Sequence, residues 1–308
     1  MKIFLLFTTL LFSIFLQAQD ETIQNLKKEA TVGVKKDAPD TSDVFWSKGG
    51  IYNINLSQGS LTNWAAGGDN FSLSVNSLLN MFAFYKKDKY SWDNTLDFNF
   101  GYVKTTSLGS RKNDDRLDLL SKYGYAVSSK WNVASLFNFR SQLLKGFTYP
   151  DGVETFSSAF LSPAYILFSL GMDYKPSPSF SIFLSPSTVR WIIVKHDSIA
   201  AKGLYGVPVG KHSVTEIGAF VTANLLTDLN KNISYKGRLD LFSNYKHNPE
   251  NVDLFMTNVF SVKLSRLLSA SWNVDFIYDD DVRIFGKNGK SPALQVKSII
   301  GLGLLLKF

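Results

Sequence analysis

Apolar and polar residues alternate along most of this chain, from Ile51 to its last residue. Between Phe71 and Tyr85 every second position is mostly apolar, and the intervening positions begin with Ser72 and Ser74. A period of two indicates β-strands, because successive side chains of a strand point to opposite faces. These segments predict about twelve strands. They cover residues 51–58, 69–85, 90–104, 114–128, 131–146, 158–174, 179–194, 212–227, 232–245, 252–267, 270–279 and 292–308.

The length and spacing of these segments favour a barrel that spans a membrane. Several match or exceed the ~9 to 11 residues that a tilted strand needs to cross a bilayer, and an even number of strands places both chain ends on one side. The prediction is an all-β fold, a transmembrane up-and-down antiparallel β-barrel of about twelve strands. A soluble β-sandwich would also alternate and is the alternative.

The connections between the predicted strands alternate between short and long. Short periplasmic turns and longer outer loops are typical of outer-membrane barrels. The short turns lie at residues 86–89, 128–130, 175–179, 228–232 and 268–269, and the longer polar links at 105–113, 146–157, 195–211, 246–251 and 280–291. Aromatic residues occur where strands leave the short turns, and we expect them to form one girdle at the membrane interface. They are Tyr90, Trp92, Trp131, Phe180 and Trp272.

The two ends of the chain carry targeting signals. Lys2 is followed by the apolar run Ile3–Leu16 and by Leu16-Gln17-Ala18, which predicts a signal peptide over residues 1–18 that is cleaved after Ala18. Residues 19–45 are polar and are expected to be mostly disordered, so the barrel covers residues 46–308. The apolar final strand ends in Phe308, which resembles the signal by which barrels engage the outer-membrane insertion machinery. We therefore expect this machinery and outer-membrane lipid as partners.

Composition narrows the chemistry further. The chain has no cysteine, which excludes disulfides, thiol catalysis and lipidation at a mature N-terminal cysteine. Its net charge of +7 becomes +6 once Lys2 is removed with the signal, since no acid lies in residues 1–18. The Lys and Arg residues are scattered, so nucleic acid is not an expected partner. The expected location is the outer membrane of a Gram-negative bacterium.

The polar face of the predicted strands carries many charges. Twelve strands ~4.8 Å apart and tilted by ~40° close at a backbone radius of roughly 12 Å, which leaves little open lumen once inward side chains are added. We expect the charges to pair across strands, either as a salt-bridged wet interior or as a selective porin-like channel. The candidates for facing the lumen are Asp93, Asp97, Arg116, Asp118, Lys122, Arg140, Lys236, Arg238, Asp240 and Asp275.

The sequence contains no recognisable catalytic, cofactor or metal motif. Its histidines, His196, His212 and His247, fall in or beside the longer links without a serine motif or a metal-ligand spacing. The run 279–281 of aspartates resembles a cation-binding loop only loosely and is expected to be a solvated loop. We therefore expect no enzyme, no cofactor and no bound metal.

Trp64 stands among small residues in the link between the first two strands, where it either tucks into the barrel or recognises a ligand. Together with four other segments, this link resembles the domain of unknown function family 3078, a group of Bacteroidetes-type exported barrels. The resemblance implies location and fold but no activity. The segments that carry it are 46–50, 57–68, 92–94, 111–116 and 138–142.

Three functions are compatible with this sequence. The first is a non-enzymatic outer-membrane barrel that acts as a narrow channel or transport component. The second is a lipid-modifying outer-membrane enzyme, and the third is a surface binding or structural barrel. The solute or ligand is not encoded in any motif.

Overall fold

In the computed structural model, the segments with period-two alternation form one closed antiparallel barrel of twelve strands. The structure describes residues 45–60, 70–149, 153–177, 179–265, 268–283 and 291–307. The predicted signal peptide (1–18), most of the polar segment (19–45), Trp64 and Phe308 lie outside these ranges. The predicted all-β barrel of about twelve strands is confirmed.

Each barrel strand pairs with the next barrel strand along the chain, and the first, β1 (Trp46–Ser60), pairs with the last, β14 (Gln295–Lys307), to close the wall. A small sheet of two short strands and a one-turn helix lie outside the barrel order. The elements are β1 (Trp46–Ser60), β2 (Phe71–Lys87), β3 (Tyr90–Thr105), β4 (Gly109–Ala126), β5 (Trp131–Ser141), β6 (Gly146–Thr148), β7 (Thr155–Ser158), β8 (Ala164–Ser177), β9 (Phe180–Ile193), α1 (Asp197–Ala200), β10 (Ser213–Asp228), β11 (Ile233–Asn244), β12 (Val252–Lys263), β13 (Leu268–Tyr278) and β14 (Gln295–Lys307).

Several predicted boundaries are wrong. The link expected at residues 105–113 is only 106–108, because β4 begins at Gly109 and its polar residues continue the ladder with β3. Backbone pairing does not require apolar side chains, and a bulge opposite Gly101 absorbs Asn113 as an extra residue. The strands predicted at 131–146 and 158–174 are shorter, since β5 ends at Ser141 and β8 begins at Ala164; the residues between them include β6 and β7.

Both described chain ends lie at the end of the barrel that carries the short turns. Trp46 pairs with Tyr85, next to the turn between β2 and β3, and Lys307 pairs with Ile51. The longer links, including 194–212 and 245–251, lie at the opposite end. Among the described residues, no helix is long and apolar enough to cross a membrane.

The outer face of the barrel is apolar and exposed. On β14, Ile300 is 73% exposed, and Leu302 and Leu304 point the same way. Aromatic rings contact one another around the short-turn end, with centroids 5.8 Å apart for Trp46 and Trp92, and other pairs at Tyr90–Tyr125, Trp131–Tyr174 and Phe260–Trp272. An apolar band bordered by an aromatic girdle is the surface that a bilayer requires. The protein is thus a transmembrane β-barrel.

Replacing Ile300 with lysine tests this placement. The variant should lose about 1–2 kcal/mol of unfolding free energy, because a lysine on the lipid face must be desolvated and Ile300 pairs with the girdle residue Trp272, where the cost is below its midplane value of about 2–4 kcal/mol. Urea unfolding from lipid vesicles, followed by tryptophan fluorescence, measures the change. Val209→Lys is the matched control, since Val209 is also 73% exposed but lies in the 194–212 link. Equal losses in the two variants would contradict a membrane-embedded β14.

Candidate functional site

Charged side chains from opposite walls meet in the middle of the barrel. Arg140 on β5 lies 2.9 Å from Asp118 on β4 and 3.3 Å from Asp240 on β11. Strands β8, β9 and β10 separate β5 from β11 in the barrel order, so the contact with Asp240 has to cross the lumen. Arg238 completes the link, with its Nη2 atom 2.8 Å from Asp240 and its Nη1 atom 3.7 Å from Asp118.

Further pairs extend this arrangement towards β13 and β14. Arg116 lies 3.2 Å from Asp275, and Lys297 lies 2.8 Å from Asp275 and 3.1 Å from Asp114. The Arg140 guanidinium carbon lies 3.7 Å from the centre of the Phe255 ring. These contacts define a constriction across the lumen, which we call the central network. It consists of Arg116, Asp118, Arg140, Arg238, Asp240 and Asp275.

A second set of ion pairs, the basal network, lies near the short turns. Asp173 on β8 is 2.9 Å from Lys122 and 3.3 Å from Lys175, and Lys175 is 3.0 Å from Asp93. All of these side chains are largely buried. Sequence reasoning missed Asp173 and Lys175, although both share the polar parity of Ser169 on β8.

The remaining two residues predicted to face the lumen, Asp97 and Lys236, are more exposed than the side chains of the central and basal networks. Lys236 is 3.8 Å from Asp97, and both side chains are partly exposed. The Asn80 amide donates a hydrogen bond to Asp97. The structure thus places each charged residue selected from the sequence in an ion pair, and these pairs form several separate groups.

An apolar cluster fills the wall formed by β5 and β8 to β11. Sequence reasoning did not identify this cluster, because it considered only the charged side chains of the interior. Leu136 and Phe183 are almost fully buried there. The strands carry apolar residues on both parities at this level, so periodicity could not show which face was inward. The cluster consists of Ala134, Leu136, Leu167, Phe183, Phe220 and Phe242.

The opposite wall is lined by small residues and amides. Asn53 donates to the Ser269 hydroxyl at 3.1 Å, and Asn55 lies against Gly301 and Gly303 of β14. Several amide oxygens on this wall are buried and have no hydrogen-bond partner among the described residues. They belong to Asn53, Asn55, Asn76, Asn99 and Asn273, which we call the amide-lined wall. The neighbouring glycines lie directly against these side chains, since a Cβ at Gly101 would meet Asn76 and a Cβ at Gly301 would meet Asn55.

The 194–212 link folds over the outer mouth. Ile192 near the end of β9 and Val194, the first residue of the link, are buried against Ile199 and Val207. The Tyr205 hydroxyl donates to the Ser157 carbonyl at 2.8 Å, and burial raises the pKa of Tyr205 to about 12, so its phenol stays protonated. This link therefore narrows the mouth and ties β7 to the top of β9.

Below this link, Arg190 on β9 forms ion pairs with Glu216 and with Asp253, the latter at 2.6 Å. Its guanidinium carbon lies 4.0 Å from the centre of the Phe242 ring, at the top of the apolar cluster. Sequence reasoning did not select these residues, since their pairing depends on β9, β10 and β12 converging in space.

The histidines do not form a catalytic arrangement. His196 contacts the Ser198 hydroxyl at 3.1 Å, His212 lies 3.5 Å from Asp197, and the contacts of His247 are with other residues. A serine hydrolase needs one histidine held between a serine and an orienting group. No such set is present in the part of the chain that the structure describes, and no cluster of metal-ligating side chains occurs there.

Comparison with known proteins supports the family resemblance. Residues 56–147 match the family described as "Protein of unknown function (DUF3078)". This confirms the similarity drawn from the sequence motifs over that part of the chain. No curated protein is significantly similar in sequence.

Several solved barrels have a related overall structure. An outer membrane channel from Pseudomonas putida F1 is 11% identical, with a TM-score of 0.40 over 89% of this chain and 100% of the other. The NanC porin is 8% identical, with a TM-score of 0.38 over 83% and 98%. Outer membrane phospholipase A from Escherichia coli is 11% identical, with a TM-score of 0.35 over 90% and 96%. None of these similarities assigns a solute or a reaction to this chain.

Proposed function

We propose that this protein resides in the outer membrane of a Gram-negative bacterium and provides a narrow passage for small polar solutes. The observation that carries the proposal is the central network, in which Arg140 joins acids from β4 and β11 across the lumen. Such a network narrows the pore with polar side chains and does not block it with apolar ones. The proposal includes export by the signal at residues 1–18 and membrane insertion through the terminal Phe308.

The two walls of the interior differ, and this difference supports a passage along the amide-lined wall and not along the apolar cluster. The apolar cluster occupies the wall of β5 and β8 to β11. The amide-lined wall presents buried acceptors that water or a polar solute can satisfy, and an unsatisfied buried acceptor is costly. The interior therefore favours small neutral or weakly charged solutes over large ones.

Planar-bilayer conductance tests the proposal. The native protein should give small, discrete conductance steps, and Arg140→Ala combined with Arg238→Ala should raise them severalfold and increase selectivity for cations. The reason is that two guanidinium groups leave the constriction while Asp118 and Asp240 keep their charges, and charges at a constriction set ion selectivity.

Two further variants make this result interpretable. Phe255→Ala widens the constriction without leaving a charge unpaired, so it should also increase conductance. It provides the test if the double variant folds poorly. Arg283→Ala is the control, because Arg283 is exposed and pairs with Asp280 in an outer link. A folded barrel that stays silent in the native form and in Phe255→Ala would overturn the passage.

A further inference from the structure

The ladder that closes the barrel is unusually short. Residues 51–55 of β1 pair with residues 303–307 of β14, whereas residues 72–87 of β2 all pair with β3. Above this ladder, residues 56–60 of β1 pair with β2, and residues 295–302 of β14 pair with β13. Within these described residues, the facing edges of β1 and β14 do not pair with each other.

The unpaired edges lie at the level of the membrane. Leu56 is 62% exposed on β1, and Ile300 and Val296 are exposed on the same outer face of β14. A backbone group without a partner in hydrocarbon costs several kcal/mol, so irregular or open edges occur only where they meet protein or a polar cavity. The facing edges therefore need a polar partner that the wall itself does not supply.

The inner side of this split is built from acceptors. Asn55 stands at the top of the paired ladder and Asn53 two residues below it. Each is 6% exposed, and their amide nitrogens donate to Ser271 and Ser269. Their amide oxygens have no partner among the described residues. At Gly301 a Cβ would lie 2.8 Å from the Asn55 Cβ, so the glycine lets the Asn55 side chain lie directly against β14 at the lower end of the split.

We propose that the barrel opens laterally to the membrane between β1 and β14 above Asn55, and that the opening binds a neutral amphiphile whose headgroup donates a hydrogen bond. The headgroup lies between the two edges, where it meets their backbone groups and the oxygens of Asn53 and Asn55, and the apolar tail lies in the bilayer beside Leu56 and Ile300. The nearby cation Lys297 is already paired with Asp114 and Asp275, which favours a neutral headgroup. This route goes beyond the proposed passage, because it connects the lumen with the membrane and does not require conductance.

Paired cysteines test the opening in native membranes. Ile54 and Leu304 face each other in the ladder, and continuing the same register would place Gln58 opposite Ile300. Both pairs lie on the outer face and in the same hydrogen-bonding class, and the chain has no other cysteine. Mild oxidation should form the disulfide in the Ile54→Cys/Leu304→Cys pair at least about tenfold faster than in the Gln58→Cys/Ile300→Cys pair, because a disulfide requires Cα atoms within about 7 Å.

Two outcomes would overturn the opening. Equal rates of disulfide formation would mean that the ladder continues upward. A disulfide between two copies that carry Gln58→Cys would mean that the edge of β1 is covered by a second chain. A slow Gln58/Ile300 pair in a barrel without conductance would instead reject the proposed passage and retain the lateral opening.

Binding of 1-dodecanol and of its methyl ether, measured by native mass spectrometry of the full-length barrel, tests the headgroup. The alcohol should bind more tightly than the ether, and Asn55→Leu should weaken alcohol binding by about 3- to 10-fold, the effect of one neutral hydrogen bond. If Asn55→Leu folds poorly, Asn53→Leu replaces it as the variant in which alcohol binding is measured. Asn224→Leu on β10 is the control. Equal binding of alcohol and ether would reject the donor headgroup.

Discussion

Asp173→Ala is expected to lower the free energy of unfolding by about 3–5 kcal/mol. Asp173 is 1% exposed, and it is the carboxylate that lies within 3.3 Å of both Lys122 and Lys175. Removing it leaves two buried ammonium groups near the short turns, with Asp93 as the remaining counter-charge among the described residues. Breaking a buried pair by deleting one partner costs far more than an exposed pair contributes.

Urea unfolding from lipid vesicles at neutral pH measures this loss. Asp197→Ala is the matched control, because the Asp197 side chain is 95% exposed and its contact with His212 is at the surface. We expect a change below about 0.5 kcal/mol for that variant. If Asp173→Ala were as stable as Asp197→Ala, the basal network would have to be open to water and weakly coupled.

Gly303→Ala is expected to prevent normal closure of the barrel. A Cβ at this position would lie 2.0 Å from the Ile54 carbonyl oxygen and 2.3 Å from the Asn55 amide oxygen. The carbonyl belongs to the backbone of the short β1–β14 ladder and cannot move without breaking it. Overpacking of this kind typically costs about 1–3 kcal/mol, and here we expect at least the upper value because the ladder is short.

The folded fraction in outer membranes, read from heat-modifiable gel migration, measures closure. Gly59→Ala is the control, because Gly59 lies on β1 above the ladder with β14 and, among the described residues, its Cβ would meet the flexible Ser72 hydroxyl at 3.0 Å. A folded fraction for Gly303→Ala equal to that of Gly59→Ala would show that β1 and β14 are not closely packed at Gly303.

Most of the fold could be predicted from the alternation of apolar and polar residues, because each strand has a different environment on each of its two faces. The wall has lipid on one side and a polar interior on the other, so the side chain at every second position reports which face it occupies. Residues 111–113 show the limit of this signal. They are polar on both parities, yet they extend β4, since pairing with β3 depends on backbone groups.

The interior charges were visible from the sequence, but their partners were not. Arg140 and Asp240 are 100 residues apart in the chain and meet only because the barrel brings β5 and β11 face to face. Asp173 and Lys175 had the right parity but no neighbouring charge pattern that distinguished them. The apolar cluster could not be assigned to a face, because residues such as Leu136 and Phe137 are apolar on both parities.

The sequence by itself determined that this chain forms a transmembrane barrel of about twelve strands with charges on its inner face. These properties follow from local periodicity, which each strand carries independently. Only the tertiary structure decided which charges pair across the lumen, which wall is filled and which is lined by amides, and where the ladder between β1 and β14 ends. These features depend on the register in which distant strands meet, and register is fixed only when the barrel closes.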